Sequence, residues 1–335
     1  MINKYLEKIS SGRNLTFDES RLLMNYIITG NTSSSQLAGL LMALKTKGET
    51  SEEIAGFISV MRENSIKIPG HQDAVDVCGT GGDNSGTFNI STAAAFVLAG
   101  TGVKVAKHGN RSISSKSGSA DVLSSLGINI NLPRHKSEEA LKKVGISFLF
   151  APEYHPAMKQ VMPVRKELSM KTIFNILGPL TNPANVKRQV IGTYNDHISN
   201  LMAGACQYLE MEKVCFVCTE NKFDEVLLNG TTRLVEVNET EITERSITNS
   251  DFGFPEVNLA SIKGETPQYN AELIKSIFEK KEKTPAYYVV AANAALGIYA
   301  TGVETDLRKC AELAEESIQS GKALDKLNSL KTFGN

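Results

Sequence analysis

The sequence has no surplus of charge: 36 basic residues stand against 37 acidic ones, leaving a net charge of -1. It therefore carries no global positive field that would hold nucleic acid or an anionic membrane. A long apolar run is missing too. No window approaches the ~20 apolar residues of a bilayer span, and the opening MINKYLEKIS is interrupted by charges, so no signal or anchor is expected in it. Cysteine is scarce and odd in number, five in all, mostly in apolar stretches, so no disulfide framework is expected and reduced thiols in a cytoplasmic protein are. Only Cys215 and Cys218 are close. Their CxxC spacing lies inside an apolar run with no second pair or neighbouring histidines to complete a zinc set, so a buried strand is expected instead. Two common phosphate motifs are also absent: there is no GxxxxGK[ST], and Gly79-x-Gly81 is followed three positions later by Asn84, not glycine. What remains is a chain of 335 residues, 41% hydrophobic, able to bury a full core and long enough for about two domains, with small-molecule chemistry as the default.

The first 66 residues read as separate helices. Thr16-x-x-Glu19 and Thr50-x-x-Glu53 are capping boxes, each able to satisfy amide donors at a helix start, and Gly30 and Gly48 are stop signals. After Pro69-Gly70 the texture changes to β-branched runs alternating with glycine loops and helices. Strands are predicted over 74–78, 103–107, 128–132, 147–150, 189–193 and 214–218, forming a mostly parallel sheet. Residues 226–228 and 231–237 flank Asn229-Gly230, a pair that favours a two-residue hairpin turn, so part of the sheet should be antiparallel. Leu307, Cys310, Ala311, Ala314 and Ile318 form one helical stripe near the end.

Chemistry concentrates after the predicted strands. The first loop, Gly79-Thr80-Gly81-Gly82-Asp83, leads to Asn89-Ile90-Ser91-Thr92 and then to the apolar helix AAAFVLA. Glycines let backbone amides approach an anion, and a helix start adds free donors and the positive dipole end, so phosphate suits this turn. The second loop, residues 107–119, combines three cations, five serines and two glycines in thirteen residues, which offers charge-assisted bonds to a polyanion. Two such loops converge at the carboxyl edge of a parallel sheet. A third segment, Phe223-Asp224-Glu225, follows the strand at 214–218 and brings two carboxylates to the same edge. Carboxylates beside polyphosphate suit magnesium, which keeps waters and shares ligands with substrate oxygens.

Taken in order, DVCGTGGD, FNIST, KHGNRSISSKSGSADVL, YHPAMKQVMPVRKEL and TIFNILGPLTNP resemble the anthranilate phosphoribosyltransferase family, most densely over residues 76–183. The resemblance implies an α/β fold: a small all-helical domain, residues 1–70 joined by helices within about 155–185, beside an α/β domain over 71–335 whose central sheet is mostly parallel with one or more antiparallel strands. It implies transfer of the phosphoribosyl group of 5-phosphoribosyl 1-pyrophosphate (PRPP) to the amine of anthranilate, the second step of tryptophan biosynthesis from chorismate. It also implies two magnesium ions per site and a homodimer formed through the helical domain, with no nucleic-acid or membrane partner.

Residue by residue, the resemblance assigns PRPP to Gly79, Gly82, Asp83, Thr87, Asn89, Ile90, Ser91, Thr92, Lys107, His108, Gly109, Asn110, Arg111, Ser112, Ile113, Ser114, Ser115 and Ser119. Anthranilate falls to Gly79, His108, Asn110, Ala151, Pro152, His155 and Arg165, and metal to Ser91, Asp224 and Glu225. No catalytic nucleophile or base is implied. Arg165, read by itself, is either a guanidinium rising beside Met158 and Met162 to meet a carboxylate, or a surface arginine in a basic region. The chain departs from the family around the acidic pair, where Asn221-Lys222-Phe223 precedes it and Val226-Leu227-Leu228 follows. Two other readings compete: a pyrimidine nucleoside phosphorylase, which handles a single phosphate, and a nucleic-acid-binding relative without activity, which would need a basic groove.

Overall fold

Capping signals start the helices that open the chain: α1 (Ile2–Ser10), α2 (Phe17–Ile28), α3 (Ser34–Lys47) and α4 (Ser51–Glu63). In the computed structural model, which describes residues 2–83, 85–112 and 116–334, both expected capping boxes close in each direction, Thr16 with Glu19 and Thr50 with Glu53. A third, Ser33 with Gln36, opens α3. Each such cap is worth about 1 kcal/mol against alanine. Leu23, Ile27, Leu37, Leu41, Ile54 and Phe57 fill the space between these helices. Glu53 is wholly buried there, yet its charge is answered by Lys47 at 2.9 Å and by the backbone N–H of Leu15 at 2.9 Å, the condition under which a buried carboxylate is tolerated.

The helical lobe does not end at Glu63. Val161, Val164, Ile173, Phe174 and Leu177 pack into the same apolar cluster, which continues onto one face of the sheet through Ile191, Phe216 and Val235. Arg62, in the last turn of α4, donates to the carbonyls of Leu180 at 2.7 Å and Leu209 at 3.1 Å, joining the two parts by bonds that carbonyls at chain turns would otherwise make to water.

The sheet has seven strands: β1 (Val75–Gly79), β2 (Val105–Gly109), β3 (Ile146–Phe150), β4 (Arg188–Gly192), β5 (Lys213–Thr219), β6 (Thr232–Asn238) and β7 (Glu241–Ile247), in the order β3-β2-β1-β4-β5-β6-β7. The first five in that order pair in parallel, and β6 and β7 add antiparallel. The chain moves outward from β1 to β3 and then returns to the opposite side of β1 as β4, so the switch in strand order falls between β1 and β4. Helices α5 (Ile90–Gly100) and α6 (Ser119–Ser125) follow β1 and β2. With the largely buried helix Pro285–Thr301 they pack on the face away from the helical lobe.

Two expectations are corrected. Residues 128–132 form no strand: Ile128, Ile130 and Leu132 are buried on alternate positions, but the segment is a connection bent at Ile130, with Asn129 accepting from Asn131 N–H and donating to the carbonyl of Gly334. Alternate burial alone does not require a paired strand. Nor does Asn229-Gly230 join two strands. Val226 to Leu228 is buried against the Pro285–Thr301 helix, where Asn293 accepts from Val226 N–H at 3.2 Å and donates to its carbonyl at 2.8 Å. The hairpin lies one strand later, between β6 and β7 across Glu239 and Thr240, where Glu239 takes φ 53°. Cys215 and Cys218 are free and buried within β5, as the buried-strand reading expects. No helix among the described residues is long and apolar enough to cross a membrane.

Candidate active site

The crevice opens where the switch in strand order places it, at the carboxyl ends of β1 and β4. Gly79 and Gly192 end those strands in register, and Thr80 N–H donates to the Gly192 carbonyl at 2.8 Å. Both glycines are required by what lies above them. A Cβ on Gly79 would stand 2.7 Å from Asp224 Oδ2, and one on Gly192 would stand 1.6 Å from the Asp224 carbonyl oxygen. The acidic segment after β5 therefore folds back directly over the β1–β4 seam.

Asp224 Oδ2 accepts from Gly81 N–H at 2.8 Å. Glu225 reaches the start of α5: Oε1 accepts from Ser91 N–H at 3.2 Å and Oε2 from the Thr87 hydroxyl at 3.3 Å. The free donor expected at this helix start is thus engaged by an internal carboxylate. Burial, followed by the nearby Asp83 carboxylate, pushes Asp224 up to about 7; burial and the Asp224 charge push Glu225 well above the ordinary range. One cation lies beneath them. Lys107, buried in β2, donates to the Val77 carbonyl at 2.5 Å and to Ser91 Oγ at 3.4 Å. Among the described residues no group of three or more His, Cys, Asp or Glu side chains is arranged to hold a metal alone. Two crowded carboxylates beside the Ser91 hydroxyl nevertheless suit a hard dication that completes its shell with water and substrate oxygens.

The second loop is closed by a residue that its charge pattern did not single out. Asp121, in the first turn of α6, accepts from Ser112 N–H at 3.1 Å, Gly118 N–H at 3.0 Å and Arg111 Nη1 at 2.7 Å. Arg111 is therefore ion-paired. Gly118 permits this closure, since a Cβ there would stand 2.3 Å from Ser112 N. Ser119 Oγ donates to the Asn110 carbonyl at 3.2 Å, and Gly109 leaves room for that hydroxyl, 2.3 Å from where its Cβ would be. Asn89 joins the two loops: its Oδ1 accepts from Ser117 Oγ at 2.9 Å and from Asn270 Nδ2 at 3.0 Å. Ile113, Ser114 and Ser115 lie outside the described residues.

Other expected residues divide by position. Ile90 and Thr92 face the core, and Ile90 N–H already bonds the Phe88 carbonyl at 2.7 Å. Gly82 and Asp83 lie on the first loop, where Asp83 Oδ1 accepts from Ser85 N–H. His108 and His155 are both buried, with ring centroids 5.2 Å apart and each Nε2 lacking a partner. Burial lowers His155 to about 4, and burial with His155 beside it holds His108 well below its ordinary value, so both rings are neutral near pH 7. Ala151 and Pro152 begin a short helix directly after Phe150, which is in register with Gly109. Arg165 sits on the helical lobe. Two helical pieces lead to it, a 3-10 turn Pro156–Gln160 and an α-helix Met162–Leu168, divided because Pro163 fits only a helix's first turn. Arg165 contacts Met162 Sδ at 3.8 Å and stands 5.7 Å from the centre of the Phe174 ring.

Asp76, Asn182 and Lys171 were not expected. Asp76, buried in β1, accepts from His108 N–H at 3.1 Å and Asn182 Nδ2 at 2.8 Å, so it aligns β2 with the return to β4. The signal was present as a lone acid in an apolar run, which only pairs with a function once its partners are known.

Known proteins are similar to this chain over nearly its whole length. The glycosyl transferase family helical bundle domain matches residues 3–65, and the a/b domain of the same family matches 71–324. The chain is 42% identical over 330 residues to the anthranilate phosphoribosyltransferase of Bacillus subtilis, with 98% of each chain covered, and 44% identical to that of Petrotoga mobilis, covering 100% of this chain and 97% of that one. Its fold matches the anthranilate phosphoribosyltransferase of Thermus thermophilus with a TM-score of 0.91 at 38% identity, covering 98% of both. It matches the Saccharomyces cerevisiae enzyme in complex with PRPP and Mg with a TM-score of 0.89 at 25% identity, covering 99% and 97%. With the full length matched at this identity, and the glycine seam and its carboxylates in place, the chain belongs to the anthranilate phosphoribosyltransferase family.

Proposed function

We propose that the protein transfers the phosphoribosyl group of PRPP to the amine of anthranilate, giving N-(5-phosphoribosyl)anthranilate and pyrophosphate, the second step of tryptophan biosynthesis from chorismate. The observation that carries the reading is the β1–β4 seam: a glycine turn, a carboxylate pair and the start of α5 meet at one point, on a chain 42% identical to a curated enzyme of this activity. Purified protein with anthranilate, PRPP and magnesium is expected to consume anthranilate, followed as loss of its fluorescence. A preparation that leaves anthranilate untouched but cleaves uridine or thymidine with phosphate overturns it.

In this reading Asp224, Glu225 and Ser91 hold magnesium, and the crowding of the carboxylates supports more than one ion, which we set at two. Bound magnesium supplies charge neutralisation of the pyrophosphate leaving group. The chain's own residues do the rest. Gly79 to Asp83, Thr87, Asn89 and the 107–119 loop orient PRPP for displacement at the anomeric carbon, through a transition state with the oxocarbenium character of glycosyl transfer. Lys107, beneath the seam, adds fixed positive charge in a site screened from water. The neutral His108 and His155 rings, with Asn110, Ala151 and Pro152, line the acceptor side. Anthranilate's aromatic amine is itself neutral at pH 7, so no side chain is required to deprotonate it before attack.

Arg165 is assigned to the anthranilate carboxylate. Its contacts within the protein are a thioether and a ring face, so its guanidinium edge keeps donors for a carboxylate. Arg165→Ala is expected to cost anthranilate use about 1.5–3 kcal/mol, roughly a 10- to 150-fold rise in KM. An unchanged anthranilate KM removes Arg165 from the site. We further place the protein in the cytoplasm, supported by five free thiols. A homodimer through the helical lobe, where Leu22 is an exposed apolar side chain on α2, completes the reading.

A further inference from the structure

Lys171 belongs to neither loop nor to the acidic pair, yet it touches the first loop. Its Nζ donates to the Gly82 carbonyl at 2.6 Å and stands 3.6 Å from the centre of the Tyr194 ring, on the connection after β4. The backbone carbonyl of Lys171 accepts from Lys45 Nζ, in the last turn of α3, at 2.7 Å. Three pieces of the molecule therefore meet on one residue: the helical lobe through Lys45, the glycine turn through Gly82, and the β4 connection through Tyr194. Gly82 is shaped for this contact. A Cβ there would stand 2.8 Å from Lys171 Cε, and the residue holds φ 76°, so both space and backbone favour glycine. Burial lowers the Lys171 ammonium below the ordinary lysine value, while the nearby Asp83 and Asp224 carboxylates oppose that shift. Arg165 lies just upstream, on the helix that ends at Leu168.

We propose that Lys171 is a positioning residue for phosphoribosyl transfer, latching the segment that carries Arg165 to the Gly79–Asp83 turn so that acceptor and donor groups share one frame. The inference rests on the functional reading above. An ammonium bonded to a carbonyl and seated on an aromatic face gives a directed link in a half-buried place, where it is screened less than at the surface. Arginine can make the same two contacts; methionine keeps the stem and loses both.

The test is kinetic and structural together, on the full chain. Lys171→Met is expected to lower kcat/KM for PRPP about tenfold, while Lys171→Arg stays within about threefold of wild type. Tyr194→Leu should weaken the same parameter, and the double variant Lys171→Met with Tyr194→Leu should cost less than the product of the two, the mark of two residues acting as one unit. Hydrogen exchange read without substrates should show faster exchange for the peptide covering β1 and the glycine turn in Lys171→Met, with the Pro285–Thr301 helix unchanged. That measurement does not depend on the activity: if wild type consumes no anthranilate the functional reading falls, whereas the exchange result still reports on the latch. A Lys171→Met protein with wild-type kinetics and exchange overturns the proposal, as does an arginine variant no better than methionine.

Discussion

The double replacement Asp224→Asn with Glu225→Gln is expected to abolish magnesium activation, lowering turnover by about 100-fold or more, the scale of the several kcal/mol a bound dication contributes to charge stabilisation. The fold should survive. Amide oxygens can still accept from Gly81, Ser91 and Thr87, which hold the two side chains in place. Stability should even shift in the variant's favour when metal is chelated. The folded-state pKa of Asp224 is raised to about 7; the stability linked to a raised carboxyl is present below its unfolded value and is lost as pH rises through about 7. At pH 8 the wild type therefore carries an unrelieved negative charge that the variant lacks, while at pH 5 the difference narrows. Melting curves in chelator at pH 5 and pH 8, with a magnesium titration of the rate, check both halves. A variant that titrates with magnesium like the wild type takes the pair out of the metal site, and a Tm at pH 8 well below wild type denies the crowding.

Gly192→Ala is expected to be the most damaging single methyl group at the site. The added Cβ would meet the Asp224 carbonyl oxygen at 1.6 Å and its Cα at 3.1 Å, so backbone has to move, and overpacking of that kind costs about 3 kcal/mol. Activity should fall by more than the stability loss alone accounts for, because the segment pushed away carries both carboxylates. Gly79→Ala makes an informative comparison: its Cβ would meet Asp224 Oδ2 at 2.7 Å, the end of a side chain that can rotate, so stability changes less while activity still drops. Gly39→Ala, in α3, meets only Leu6 Cδ2 at 3.9 Å and should gain a few tenths of a kcal/mol from helix propensity. Urea midpoints for the three proteins, measured beside the anthranilate assay, test the ranking; equal midpoints for Gly192→Ala and Gly39→Ala refute the claim that the seam is closed by backbone.

Legibility followed the range of the interaction. The capping boxes at Thr16 and Thr50 were readable because donor and acceptor lie three residues apart. The two glycine loops were readable because each is one strand-to-helix connection, and β5 because an apolar run is legible without its partner. The strand assigned to 128–132 and the hairpin assigned to Asn229-Gly230 were misread for a shared reason: alternation and turn residues describe how a chain bends, not what it pairs with. The region of Val226 to Leu228 satisfies its backbone through Asn293, more than sixty residues away. Arg111 looked like free charge for a polyanion until Asp121 was found beside it, ten residues along and one helical turn into α6.

By itself the sequence determined the two textures of the chain, the order of strand, glycine turn and helix, the absence of Walker and Rossmann loops, and the family. These are consequences of local backbone preference and of residue types adjacent in the chain. Tertiary structure alone decided that Asp224 closes over Gly79 and Gly192, with Gly81 bonded to it from 143 residues away, and that Glu225 takes the donor at the α5 start. It alone decided, too, that Lys171 reaches Gly82 across 89 residues. Such contacts depend on where parallel strands end and which way the sheet switches. Those are properties of the assembled β1–β4 seam, since a hydrogen bond or a missing Cβ acts on distance in space and not on distance along the chain.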